Sequence, residues 1–160
     1  MGVAGCGKSS LAAAIARDHG LDLLEGDERH SEASLAKMQG GIPLTDADRE
    51  GWLATLAGEL AARPQGLVVT CSALRRAYRD RLRQAAPGLR FVFLDIGLDA
   101  ARARVAARPG HFFAAGMVDS QFATLEPPLG EPGVLRVDAT EPIDTLRAQV
   151  AAWLHTETAR

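Results

Sequence analysis

The first residues of the chain hold its most specific chemistry. Gly2-Val3-Ala4-Gly5-Cys6-Gly7-Lys8-Ser9 fits the spacing GxxxxGK[ST] without a mismatch. Glycines at these steps let the backbone curl so that successive N–H groups point inward, an arrangement suited to phosphate oxygens. The periodicity that follows, with Leu11, Ala14 and Ile15 on one face, predicts a helix over Gly7 to Arg17. Its positive end would aim at the same anion. In such a loop Lys8 reaches the β- and γ-phosphates, and Ser9 offers a hydroxyl to Mg²⁺. The expected ligand is ATP, cradled by Gly2 through Ser9.

Phosphoryl transfer needs charge placement and an oriented hydroxyl more than covalent help. An acid commonly ends the strand that faces such a loop, but Thr70-Cys71-Ser72 stands at that place. Glu25 and Asp27 end a different short apolar run and are the candidate acids. Asp27 is expected to act as the base or to align the acceptor hydroxyl, and Glu25 to hold Mg²⁺, through water if not directly. Arg108-Pro109-Gly110-His111-Phe112-Phe113 breaks a helical pattern, which suits a lid near 108–116. Arg108 would then place a cation on the phosphates. Arg75, Arg76, Arg79, Arg81 and Arg83 crowd one predicted helix. Most of them read as a solvated face, with Arg75 and Arg76 near enough to a strand end to meet an anionic acceptor. Arg49 and Lys37 are further cations, and Arg forks match carboxylates.

These groups must be placed by secondary structure. Short apolar runs at Leu21 to Leu24, Gly66 to Thr70, Arg90 to Asp95 and Val134 to Val137 read as strands. The runs around Val68 and Val92 have the continuous apolar character of buried parallel strands. Helices are expected over 32–38, 74–84, 98–107, 117–125 and 142–155. Another runs from an N-cap at Thr45, through Trp52, Leu53, Leu56 and Leu60, to about Arg63, where Pro64 stops it. Strands alternating with helices predict an α/β fold of three layers, a parallel sheet between two sets of helices. Ligands then sit beyond the carboxyl ends of the strands, where Glu25, Asp27, Ser72 and Asp138 fall.

Composition narrows the classes. The chain has 160 residues, 47% hydrophobic and 24% charged, enough for one domain with a core of its own. A net charge of -2 offers no basic footprint for nucleic acid. Cys6 and Cys71 form no CxxC pair, so neither a disulfide framework nor a zinc site is expected, and a reducing cytoplasm is the simpler setting. No apolar run approaches the roughly 18 residues of a membrane helix, and no basic-then-apolar leader opens the chain.

Beyond the phosphate loop, the chain resembles the gluconate kinase family of P-loop small-molecule kinases. The resemblance continues through Glu25-Gly26-Asp27-Glu28-Arg29-His30, Lys37-Met38, Gly41 to Arg49 and Trp52-Leu53. It runs on through Cys71 to Asp80, Arg108, Gly110-His111-Phe112 and Ser120 to Glu126, in the family's order. It implies a fold like that of shikimate and nucleoside monophosphate kinases. It also implies ATP- and Mg²⁺-dependent phosphorylation of D-gluconate to 6-phosphogluconate, often by a homodimer. Asp27, His30, Arg49, Arg75 and His111 are the implied sugar-acid contacts, and Arg108 the lid cation. Val137-Asp138-Ala139 with Pro142 looks like the family's adenine-side turn.

Three departures stand out. Ser31 takes the place of a common proline, and Pro109 that of a lid lysine. No apolar strand precedes the loop, which starts directly after Met1. In related kinase folds that strand lies mid-sheet. Without it two strands should lack a partner, and a start assigned too late is the expected cause.

Related small-molecule kinases, shikimate kinase among them, and nucleoside monophosphate kinases are the nearest alternatives. A GTPase-like switch would need more than the formal DxxG of Asp48 to Gly51, which falls inside a predicted helix with no NKxD partner.

Overall fold

Four parallel strands carry the frame, and their pairing follows the apolar runs. The structure is a computed structural model that describes residues 1–108 and 115–158. The strands are β1 (Asp22–Glu25), β2 (Leu67–Thr70), β3 (Phe91–Asp95) and β4 (Val134–Asp138). β1 pairs with β2 so that Glu25 stands opposite Thr70, and β3 pairs with β4 so that Asp95 stands opposite Asp138. α1 (Lys8–His19) precedes them, α2 (Glu32–Gln39), α3 (Asp46–Ala61), α4 (Arg76–Ala85), α5 (Leu98–Ala106) and α6 (Ala115–Thr124) run between them, and α7 (Ile143–Thr158) follows. The chain is therefore α/β, with parallel strands flanked by helices.

Local chemistry explains the boundaries. α1 begins after Gly7 at φ 96° and ends at Gly20 at φ 63°, whose N–H returns to the Ala16 and Arg17 carbonyls. Thr45 caps α3 in a capping box with Asp48, each side chain accepting from the other's backbone N–H. α3 ends at Ala61, ahead of the expected stop at Pro64. Ser31, the departure after the histidine, caps α2 by accepting from the Ser34 N–H.

Two apolar cores lie on the two sides of the strands. Leu11, Ile15, Leu94, Val105, Val118, Val137, Leu146 and Val150 form one, which joins α1, α5, α6 and α7. Leu24, Trp52, Leu53, Leu56, Leu60, Tyr78, Leu82, Phe91 and Phe93 form the other, under α3 and α4.

Among the described residues the strands form two pairs, β1 with β2 and β3 with β4, a break in the sheet of the kind expected where no strand precedes the loop. The start of the chain bridges them with backbone hydrogen bonds. The Met1 amino group donates to the Val92 carbonyl at 2.6 Å, the Leu94 N–H donates to the Met1 carbonyl at 3.1 Å, and the Gly2 N–H to the Ser72 carbonyl at 3.2 Å. Behind Met1 a cleft of about 850 Å³ separates the pairs, walled by Val68, Val69, Val92, Leu56, Leu11 and Val150. This corrects the expectation that β2 is buried: Leu67, Val68 and Val69 are half-buried, and Thr70 alone of the strand is buried. An open edge beside the cleft is the reason.

The basic helix also departs from expectation. Arg76 does face solvent, but Arg79 on α4 is fully buried. Its guanidinium donates to the Ala73, Leu74 and Glu126 carbonyls and pairs with Glu131, which is itself 7% exposed. Arg83 joins the same carboxylate at 2.9 Å. Helical periodicity identifies a face, but not which arginine on it has buried acceptors waiting.

Candidate active site

The phosphate loop and Asp27, just after the β1 end, meet in one cleft. It is lined by Ala4, Gly5, Gly7, Lys8 and Ser9 from the loop, by Asp27 and His30, and by Arg49 and Trp52 of α3. Ser72, Arg108, and Met117, Ser120 and Gln121 of α6 complete the wall. The cleft lies at the carboxyl ends of β1 and β2, as an open α/β sheet dictates.

The loop owes its shape to glycine. Gly5 has φ 80°, and a Cβ there would sit 2.8 Å from the Ala101 carbonyl oxygen. Val3 and Cys6 turn their side chains into the core at 2% and 1% exposure, leaving their backbone to form the loop. Lys8 folds over it, its Nζ donating to the Gly2 carbonyl at 3.0 Å and the Val3 carbonyl at 2.9 Å. Those bonds hold the ammonium at the loop's mouth, where a polyphosphate would replace carbonyl oxygens with charged ones.

Oxygen donors stand beside the loop. Ser9 Oγ donates to Glu25 Oε2 at 3.0 Å, and Thr70 Oγ1 donates to the same oxygen at 2.6 Å. Thr70 Oγ1 also accepts from the Gly26 N–H at 3.1 Å. A Cβ on Gly26 would collide with the Thr70 carbonyl oxygen, so only glycine lets the β1 end lie this close to β2. Among the described residues no group of three His, Cys, Asp or Glu side chains could hold a metal. One hydroxyl and one carboxylate fit a Mg²⁺ that takes its remaining ligands from phosphate and water.

The acceptor side is built on a 3-10 turn over Gly26–Arg29. Asp27 is exposed to the cleft, 4.0 Å from His30 Nε2. The His30 side chain is 5% exposed and stacks on Trp52, with centroids 4.5 Å apart and planes 14° apart. Trp52 Nε1 in turn donates to the Gly26 carbonyl at 2.7 Å, tying the turn to α3. Burial lowers the His30 pKa and the Arg49 charge lowers it further, while Asp27 works the other way. The imidazole is therefore neutral near pH 7, and its Nδ1 is buried without a hydrogen-bond partner among the described residues. Arg49 lines the cleft with its Nη1 donating to the Leu44 carbonyl at 2.7 Å and lying 4.0 Å from Asp46, its guanidinium over the Tyr78 ring.

The structure thus gathers Lys8, Ser9, Asp27, His30, Arg49 and Arg108 along one cleft, with Glu25 bonded to Ser9 at its edge. Arg75 is not among the lining residues; it pairs with Asp46 at 2.8 Å, and Asp46 also accepts from the Tyr78 hydroxyl. His111 and most of the expected lid lie outside the described residues. Thr70, Trp52 and Gln121 were not named as site residues from the sequence. Thr70 had a visible signal, a hydroxyl at the strand end where an acid was sought.

Known proteins resemble the chain in sequence and fold. An AAA-domain family model matches residues 1–128. The chain is 40% identical to the thermoresistant gluconokinase of Escherichia coli over 148 residues, 90% of this chain and 85% of that one. The chain belongs to the gluconokinase family. A crystal structure of a gluconokinase from Sinorhizobium meliloti superposes with a TM-score of 0.90 at 44% identity, over 98% of this chain and 89% of that one. A sugar kinase from a Janibacter species, solved without ligand, gives 0.92 at 40% identity over 97% and 91%. Family membership makes this a P-loop kinase chain. No helix among the described residues is long and apolar enough to cross a membrane.

Proposed function

We propose that the chain is a gluconokinase that transfers the γ-phosphoryl group of ATP to a hydroxyl of D-gluconate, giving 6-phospho-D-gluconate and ADP. The observation that carries this reading is the shared cleft. It has a phosphate loop on one wall and Asp27, His30 and Arg49 on the other, in a chain 40% identical to a gluconokinase over 148 residues.

In this reading the acceptor hydroxyl oxygen bonds to the γ-phosphorus as the bond from that phosphorus to the bridging oxygen breaks. Asp27 orients the hydroxyl and takes its proton. Lys8 and Arg108 offset charge on the phosphoryl oxygens. Ser9 and Glu25 hold Mg²⁺, which when bound neutralises phosphate charge. His30, Arg49, Arg75 and His111 bind the sugar acid, the arginines pairing with its carboxylate. Arg75 must leave Asp46 to do so. Residues near 108–116 form the lid of a single kinase domain. The enzyme works in the cytoplasm, where its two free, buried cysteines stay reduced, and forms a homodimer.

An acceptor panel of gluconate, shikimate and nucleoside monophosphates in a coupled ADP-release assay tests this. Gluconate should be strongly preferred. Turnover of another acceptor with none for gluconate overturns the assignment, and ATP binding without acceptor-dependent ADP release points to a nucleotide-binding protein instead. Size-exclusion chromatography decides the dimer.

A further inference from the structure

Gln121 stands on α6 and lines the cleft. The Ala4 N–H of the phosphate loop donates to its Oε1 at 2.6 Å. A backbone N–H only donates, so the amide oxygen must face the loop and the NH₂ group must face away from it. No hydrogen bond from that NH₂ group is found among the described residues, and it opens to the cleft while the side chain is fixed at its other end. An anchored side chain with an open donor is a group waiting for an acceptor.

Reach limits what that acceptor is. The two ends of an amide lie about 2.3 Å apart, so a ligand oxygen bonded to Nε2 falls about 5 Å from Oε1 and up to about 7 Å from the Ala4 nitrogen, on the cleft side of the loop. Gln121 shares its cleft with Lys8, Ser9 and Arg108, so the acceptors within its reach are phosphoryl oxygens. We propose that Gln121 is a further catalytic residue, whose amide NH₂ donates to an oxygen of the phosphoryl group in transfer while Ala4 holds its oxygen. The proposal rests on the kinase reading above and deepens it. The neutral donor adds to Lys8 and Arg108 without adding charge, and the Ala4 bond fixes its direction before the substrate arrives. Pre-aimed donors of this kind carry weight because nothing has to reorganise as charge moves.

The competing role is structural: Gln121 merely caps a loop amide. Gln121→Glu keeps an acceptor for the Ala4 N–H and removes the donor, whereas Gln121→Met removes both. Both variants are compared with the wild type for kcat with gluconate, for the ATP dissociation constant and for Tm. For Gln121→Met we expect kcat to fall about 100-fold, with the ATP dissociation constant within about threefold of wild type and Tm little changed; Gln121→Glu should not recover the loss. Near-wild-type kcat in either variant overturns the proposal. So does a kcat loss in Gln121→Met that is matched by a weakened ATP affinity, which marks a loop cap. Should Gln121→Met not fold, Gln121→Glu decides alone: a roughly 100-fold loss of kcat with ATP affinity intact supports the donor, and any other result overturns it. A wild type with no gluconate-dependent ADP release would instead remove the kinase reading itself.

Discussion

The Thr70 hydroxyl donates to the Glu25 carboxylate at 2.6 Å across the β1–β2 pair. The register sets Glu25 directly opposite Thr70, and the absence of a Cβ at Gly26 lets the turn close over the strand end. Ser9 donates to the same carboxylate oxygen. The acid sought at the end of β2 is thus supplied by β1 and held in place by a threonine.

Thr70→Val keeps the shape and removes both hydrogen bonds. The Gly26 N–H then loses its acceptor in a buried place, which costs about 1–3 kcal/mol. We expect a lower Tm and a several-fold higher Mg²⁺ concentration for half-maximal activity. An unchanged Mg²⁺ titration would mean that Glu25 needs no such support.

His30 should make stability depend on pH. Its folded pKa is lowered, first by burial, so the folded imidazole releases its proton more readily than the unfolded one. The contribution is therefore complete above the ordinary value of 6.5 and is lost as pH falls through the lowered folded value. His30→Phe keeps the stack on Trp52 and cannot titrate. Thermal melts between about pH 5 and 7 should show the wild type losing more Tm on acidification than this variant; parallel curves would remove His30 as the cause.

Asp27→Asn should spare ATP binding and abolish transfer, because the amide aligns a hydroxyl but accepts no proton. A loss of about 10²–10⁴ in kcat is expected, with the ATP dissociation constant unchanged. Near-normal kcat would take Asp27 out of the mechanism.

Arg79→Met leaves Glu131 as a buried carboxylate without its main partner and strips three carbonyls of donors. Breaking a buried pair from one side costs about 3–5 kcal/mol. Differential scanning calorimetry should show Tm down by roughly 10 °C or more. Glu131→Leu added to this variant should recover part of it, since the stranded charge goes.

The cleft between the strand pairs makes its own prediction. Burial pushes the Met1 amino group down to about 6, and one carbonyl is its hydrogen-bond acceptor. Adding about five Val-, Ile- or Leu-rich residues before Met1 should pair the open edges of β2 and β3 and fill apolar space. A raised Tm is expected relative to an equally long Gly/Ser extension. Equal melting temperatures would show that the cleft does not take a strand.

Much of this was legible in residue order. The phosphate loop, the Thr45 cap and all four strands are local patterns, written in consecutive residues and in turn chemistry. The acids Glu25 and Asp27 were legible because they end an apolar run. Arg79 was not, since its partners Glu126 and Glu131 lie some 50 residues on and no spacing rule links them. Nor was the place of Arg75, which is taken by Asp46 of α3.

By itself the sequence determined a glycine-rich loop from Gly2 to Ser9 whose spacing suits a polyphosphate, and strands that alternate with helices, because glycine freedom and side-chain period act over a few residues. Only the tertiary structure decided which distant groups meet: Thr70 with Glu25, Trp52 under His30, Gln121 on Ala4. Those contacts arise from strand register and helix packing, which bring together residues between 22 and 117 positions apart. No local pattern encodes such a meeting, because its free energy belongs to the packed whole.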